Sequence, residues 1–225
     1  TMPLLRAKEL TDIIRKAEIS HVLCDRRLDA ELELTRPNCP SLKAIHYWYD
    51  DAGDALLQSQ SPEFATVDTA ADDVACIAFT SGTTGQPKGT MHFHRDIIAM
   101  CDCFPRSCLK PSKDDIFIGS PPLAFTFGLG GLLCFPLRFG ASTALVERFT
   151  PESMLQAVEH FKATILFTAP TMYRALAGIW KAHAPKSLKK CVSAGEALPD
   201  PTRQAFRAAT GLEIIDGIGS TEMIH

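Results

Sequence analysis

Ten consecutive residues carry the densest chemistry in this sequence: Thr80, Ser81, Gly82, Thr83, Thr84, Gly85, Gln86, Pro87, Lys88 and Gly89. Four hydroxyl side chains can donate to phosphate oxygens. Three glycines let backbone N–H groups approach an anion and take up positive φ. Lys88 adds one mobile positive charge. Residues 74–79 ahead of them are apolar, follow a run of acids suited to a turn, and read as a short buried strand. A strand feeding such a loop is a phosphate cradle. A flexible polar turn is the bland alternative, and the hydroxyl density and terminal lysine speak against it. The string is not a Walker A loop, because Pro87 precedes the lysine and Gly89 follows it where that motif needs a hydroxyl. Residues 91–93 look extended and a helix is expected from about Arg95. The anion is therefore expected in a loop between strands, not at a helix N-terminus.

Three further stretches each follow a predicted strand, at the edge where open α/β sheets hold their ligands. In 120–131, Phe125 and Phe127 flank Thr126, and glycines open the next helix. Core packing is the alternative for each aromatic. In 193–199, the small residues Ala194, Gly195 and Ala197 would let a flat ring lie against backbone, although an ordinary strand-to-helix turn would look the same. In 216–225, Gly217 and Gly219 allow backbone to approach a nucleotide. Thr221 can hydrogen-bond an α-phosphate, and Glu222 offers a carboxylate to Mg2+. A lone Thr-Glu would read as a helix N-cap with a first-turn acid. A competing constellation is His92, His94, Cys101, Cys103 and Cys108 as zinc ligands. No C-x-x-C pair occurs. On one helix spanning 95–108, Cys101 and Cys103 would stand about 200° apart, so a metal site there is disfavoured.

The elements that must position these stretches alternate. Residues 5–18 have helical spacing, 21–24 a short strand, 29–34 a second helix and 44–47 a strand. Residues 50–73 are polar and read as surface loop with one amphipathic turn. Strands are expected at 116–119, 142–146, 165–168, 191–194 and 213–216. Helices are expected at 95–108, 128–135, 151–161 (capped by Thr150, with Pro151 first), 170–183 and 199–210, the last closed by Gly211. This is an α/β fold: a mostly parallel sheet with helices on both faces.

The phosphate loop fits at all ten positions the pattern of the adenylate-forming enzymes: acyl-CoA synthetases, luciferases and peptide-synthetase adenylation domains. Two signatures in the right order, about 130 residues apart, strengthen that resemblance. The stretches 91–96, 119–131 and 217–225 are most similar to aryl-CoA ligases of the 2-aminobenzoate and benzoate types. The resemblance implies that residues 1–225 are part of the large N-terminal domain, with 1–73 ahead of the phosphate loop and 74–225 the nucleotide- and acyl-binding core, and with the C-terminal domain absent. It implies ATP, Mg2+ and coenzyme A as cofactors and an aromatic carboxylate as substrate. Catalytic roles fall on Lys88, His94, Thr221 and Glu222, the last also holding the metal. Nucleotide contacts fall on Thr80, Ser81, Gly82, Thr83, Thr84, Gly85, Lys88, Gly195, Glu196, Ala197, Asp216, Gly217, Ile218, Gly219, Ser220 and Thr221. The acyl pocket falls on Ala124, Phe125, Phe127, Gly128, Ala194, Gly195 and His225. The family's ribose-binding aspartate and its C-terminal-domain lysine fall beyond His225.

Composition agrees with a globular protein: 225 residues, 46% hydrophobic and 22% charged. A net charge of −3 makes no case for nucleic acid or a membrane surface. No apolar run approaches a membrane span, and the start is no signal peptide. Eight cysteines without framework spacing read as reduced thiols, and the expected location is cytoplasmic. Both ends read as cut, so the chain is expected to be a fragment with an incomplete active site, and the full-length protein could form a homodimer. Two other classes stay open: a relative that hands the adenylate to a carrier protein, and a non-catalytic nucleotide-binding module.

Overall fold

The computed structural model describes residues 1–80 and 87–225, which fall into two compact units, Thr1–Met91 and His92–His225. In the first, helix α1 (Ala7–Lys16) turns Ile13 and Ile14 inward. Ile14 joins Leu32 of α2 (Asp29–Thr35) and Cys39 in a small core, with Val22, Cys24 and Ile45 packed against it. The last three lie on β1 (His21–Asp25) and β2 (Ala44–Trp48), which pair in parallel with His21 opposite Ala44. Asp50 caps α3 (Asp51–Gln58) by accepting from the Gly53 N–H at 2.7 Å. It also binds Arg26, whose guanidinium lies 3.8 Å from the centre of the Tyr47 ring. Strand β3 (Val74–Thr80) pairs with β4 (Lys88–Phe93) in a separate two-stranded sheet. The expectation of a buried strand at 74–79 is corrected here, since Val74 and Ile77 are exposed.

The second unit is built on a five-stranded parallel sheet in the order β6-β5-β7-β8-β9. The strands are β5 (Ile116–Gly119), β6 (Ser142–Ala144), β7 (Ile165–Thr168), β8 (Lys190–Ser193) and β9 (Ile214–Asp216). Helices α7 (Pro151–Phe161), α8 (Pro170–His183) and α9 (Asp200–Thr210) form the crossovers. Each starts with proline at its first turn, where the missing N–H costs nothing. Thr150 caps α7 through a 3.2 Å bond from Ser153 N–H, and α9 ends at Gly211 with φ +75°. Met154, Leu155, Val158, Tyr173, Leu176 and Phe206 of these helices pack on Ile118, Leu166, Cys191 and Ile214 of the sheet. The Tyr173 hydroxyl is within hydrogen-bonding distance of both the Leu166 and Val192 carbonyls, at 2.9 and 3.1 Å, so its single proton is shared between two adjacent strands.

The opposite face of the sheet is covered by a helical stretch from α5 (Thr126–Leu129) through a π-helical turn (Gly130–Cys134) to α6 (Phe135–Phe139). Phe127 and Phe135 of this stretch meet Phe167 of β7. The α/β class with helices on both faces thus holds, with three corrections. The strands form three sheets, not one. The helix expected over 95–108 is α4 (His94–Asp102), followed by a separate π-helical turn at Pro105–Leu109. Pro105 has no N–H to continue the ladder and Cys103 leaves helical geometry (ψ −94°). The helix expected over 128–135 starts earlier and runs further. Among the described residues no helix is long and apolar enough to cross a membrane.

Candidate active site

Parallel strands bring their carboxyl ends to one edge, and there the second unit gathers polar side chains. Ser120 follows β5, and its hydroxyl meets that of Thr168, the last residue of β7, at 2.5 Å. Ser193 ends β8, and its buried hydroxyl has no hydrogen-bond partner among the described residues. The Gly217 N–H, just past β9, donates to the Ser193 carbonyl at 2.8 Å. Beside it, Ala194 is half-buried, Gly195 has φ +92°, and Glu196 and Ala197 are exposed. Asp216, Gly217, Ile218 and Gly219 are exposed, Ile218 at 97% of its surface.

The chain then enters a 3₁₀ turn over Thr221–Met223. The Ile224 N–H closes it on the Thr221 carbonyl at 3.2 Å, and Ile224 takes φ +61°. The turn exposes Glu222 and leaves Thr221 and Ser220 half-buried. A Cβ at Gly219 would lie 2.3 Å from the His225 carbonyl, so only glycine allows this close return. A single exposed carboxylate suits Mg2+, which takes one or two protein carboxylates and completes its shell with water and substrate phosphates. The exposed Glu222 fits that pattern.

His225 lies in a nest of phenylalanines. Its ring centre is 4.6 Å from Phe135, edge on, and 5.9 Å from both Phe104 and Phe127. Phe167 stands 6.5 Å away. A Cβ at Gly130 would come within 2.4 Å of the imidazole Nδ1, so glycine there makes room for the ring. Burial pulls the pKa of His225 below its usual 6.5, with the Thr126 backbone opposing the shift. Nδ1 is buried and has no hydrogen-bond partner among the described residues. The result is an imidazole whose charged form is disfavoured, set in an aromatic wall. Phe127 belongs to this wall and Gly128 is buried behind it. Phe125 does not join it: it caps α5 and is 55% exposed, next to an exposed Ala124.

In the first unit, Thr80 ends β3 and Lys88 begins β4 with its side chain exposed. Ser81, Gly82, Thr83, Thr84 and Gly85 lie outside the described residues. Lys16 Nζ donates to the Pro87 carbonyl at 2.7 Å, and Asp12, Arg15, Lys16 and Pro87 line an open cleft of about 340 Å³.

His94 is the half-buried first residue of α4. Its neighbour His92 is the buried one, and its Nε2 binds the Thr221 carbonyl at 2.8 Å. Sequence reading weighed His92 only as a zinc ligand. The strand alternation that buries it was available as a signal, but nothing in the sequence names its partner 129 residues away. Among the described residues no group of three or more His, Cys, Asp or Glu is placed to hold a metal ion. Cys101 is buried with its thiol pushed up to about 11, whereas Cys103 and Cys108 are exposed. Phe104, Phe135 and Phe167 were not singled out from the sequence as neighbours of His225, because they come from segments about 30 residues apart and each reads as ordinary core.

Comparison with known proteins gives the family of this α/β chain. The model of the AMP-binding enzyme family matches residues 1–225, and the chain belongs to that family. It is 37% identical over 181 residues to benzoate-CoA ligase of Thauera aromatica, covering 78% of this chain and 34% of that protein. It is 34% identical to anthranilate-CoA ligase of Pseudomonas aeruginosa, covering 99% of this chain and 43% of that protein. The solved structure of the anthranilate CoA ligase AuaEII in complex with anthranoyl-AMP superposes with a TM-score of 0.91 at 31% identity, over 100% of this chain and 45% of that one. The chain thus spans less than half the length of these relatives.

Proposed function

We propose that this chain forms the nucleotide- and acyl-binding part of an AMP-forming aryl-CoA ligase that takes benzoate or 2-aminobenzoate. The observation that carries the reading is the half-buried His225, its pKa lowered by burial, walled by Phe104, Phe127, Phe135 and Phe167. An aromatic wall of this kind suits one flat ring. The relatives named above act on such acids, and one was solved with an aryl adenylate.

In the first half-reaction a carboxylate oxygen attacks the α-phosphorus of ATP, and pyrophosphate leaves. In the second, a thiol sulfur attacks the acyl carbon, and AMP leaves. Both steps need positioning and charge, not a covalent enzyme intermediate. Lys88, with the hydroxyls and N–H groups of 80–85, would hold the departing pyrophosphate. The Thr221 hydroxyl would bond the α-phosphate. Gly195, Glu196 and Ala197, with Asp216 to Ser220, would flank the nucleoside. Glu222 would hold Mg2+, which neutralises phosphate charge when bound. Phe127 and His225 would seat the acid, with Ala194, Gly195 and Gly128 behind it, and the exposed Ala124 and Phe125 at the margin. His94, next to the post-loop strand, would support the phosphate side.

Pyrophosphate exchange by the full polypeptide, run against a panel of carboxylic acids, tests this. Exchange should be fastest with benzoate or 2-aminobenzoate. Faster exchange with long-chain fatty acids, or none with any aromatic acid, would overturn the reading.

A further inference from the structure

His92 is 3% exposed, lies on β4 four residues after Lys88, and is used by none of the roles assigned above. Its Nε2 lies 2.8 Å from the Thr221 carbonyl. A carbonyl only accepts, so Nε2 carries the proton and donates. The same carbonyl accepts from the Ile224 N–H at 3.2 Å, which closes the 3₁₀ turn. Both lone pairs of one oxygen are thus engaged: one shapes the turn, the other ties it to His92. The turn is otherwise short. Its cap Ser220 makes no side-chain capping bond, and Ile224, which follows it, sits at positive φ. Glu222 projects from it into solvent.

We propose that His92 is a positioning residue for the magnesium-nucleotide side of the site, holding the Thr221–Glu222 main chain where the Thr221 hydroxyl and the Glu222 carboxylate can meet a phosphate-bound Mg2+. This rests on the nucleotide roles given to those two residues above. A buried histidine satisfied by a carbonyl is in most proteins a piece of core. What sets this one apart is its location: its only described hydrogen bond ends on the residue expected at the α-phosphate.

The test uses the full polypeptide and two variants. His92→Leu fills the space and removes the donor. His92→Gln keeps an N–H donor of similar reach. MgATP affinity is measured by titration calorimetry without any acid, then the KM for MgATP and for the acid by pyrophosphate exchange. His92→Leu should weaken MgATP binding about tenfold, the scale of one lost buried hydrogen bond. It should leave the KM for the acid within about twofold, and raising free Mg2+ should recover part of the loss. His92→Gln should stay within about threefold of the parent. If His92→Leu does not fold, His92→Ala takes its place, and a MgATP deficit of similar size with an unchanged KM for the acid decides in favour. MgATP affinity equal to the parent's in every folded variant, or equal losses for MgATP and acid, would overturn the proposal. A parent that binds MgATP but exchanges with no aromatic acid would sink the aryl-ligase reading alone, since the calorimetric comparison would still stand. A parent that binds no MgATP would overturn both.

Discussion

The two sides of the sheet edge in the second unit are made of different material. Around His225 everything is packed side chain: Phe135 and Phe167 are fully buried, and two glycines are needed to fit the ring and the returning backbone. Around Glu222 and Gly195 to Ala197 the chain is exposed, and what it offers is main-chain N–H groups and a few charges. The contrast follows from the two halves of the proposed ligand. An aromatic ring is recognised by apolar surface that also serves as core, so selectivity and stability share atoms. A polyanion is recognised by oriented dipoles and single charges, which can be removed with little effect on folding.

The largest expected effect breaks the aromatic side. Phe167→Ala should cost about 3–5 kcal/mol of folding stability, because the ring is completely buried against Phe117, Phe127 and Phe135. Glu222→Gln on the other side should change stability by no more than about 0.5 kcal/mol. It should slow pyrophosphate exchange about 100-fold, or roughly 2.7 kcal/mol. Denaturant titrations and exchange rates of the two variants check both halves. Similar stability losses in the two would erase the distinction.

How much of this was legible depends on whether a feature is local. The alternation of strands and helices, the Thr150 cap and the Gly211 stop are local and came through in the sequence. The phosphate loop and the Thr221-Glu222 stretch were read from consecutive residues, and residues 81–86 of the former lie outside the described ones. The break after Asp102 was missed although Pro105 announces it; apolar periodicity past the proline outweighed the local signal. The division into three sheets, the wall of Phe104, Phe135 and Phe167 around His225, and the bond from His92 to Thr221 are all long-range. Each needs two or more segments to meet, and one sequence does not record which segments do.

A smaller effect sharpens the aromatic side itself. Phe127 contacts both His225 and Phe167, whereas Phe125 is exposed at the start of α5. Phe127→Ala should therefore change the ranking of aromatic acids in pyrophosphate exchange by about tenfold, the worth of a pocket contact of this size. Phe125→Ala should change it by less than about threefold. The reverse order would show that the segment before α5 reaches the acid and that Phe127 is core alone.

The smallest effect is a pH dependence that separates the two sides by their charges. His225 has its pKa lowered by burial, so the folded protein resists protonating it. In the unfolded chain the same imidazole titrates near 6.5. As pH falls through 6.5 the unfolded state takes up a proton first, and stability declines with it. The decline ends once the pH passes below the folded pKa, and above about pH 7.5 the residue contributes no slope. One proton limits that slope to about 1.4 kcal/mol per pH unit. Asp102, held at about 2 by Arg138 and Arg106, stays ionised throughout this window and adds nothing to the slope. His225→Leu removes the titration while keeping an apolar side chain in the nest. Denaturant unfolding at pH 7.5 and 5.5 should then show the parent losing more stability on acidification than the variant. A gap between parent and variant that is the same at both pH values would mean that His225 is protonated as easily folded as unfolded, and that the aromatic side is as wet as the nucleotide side.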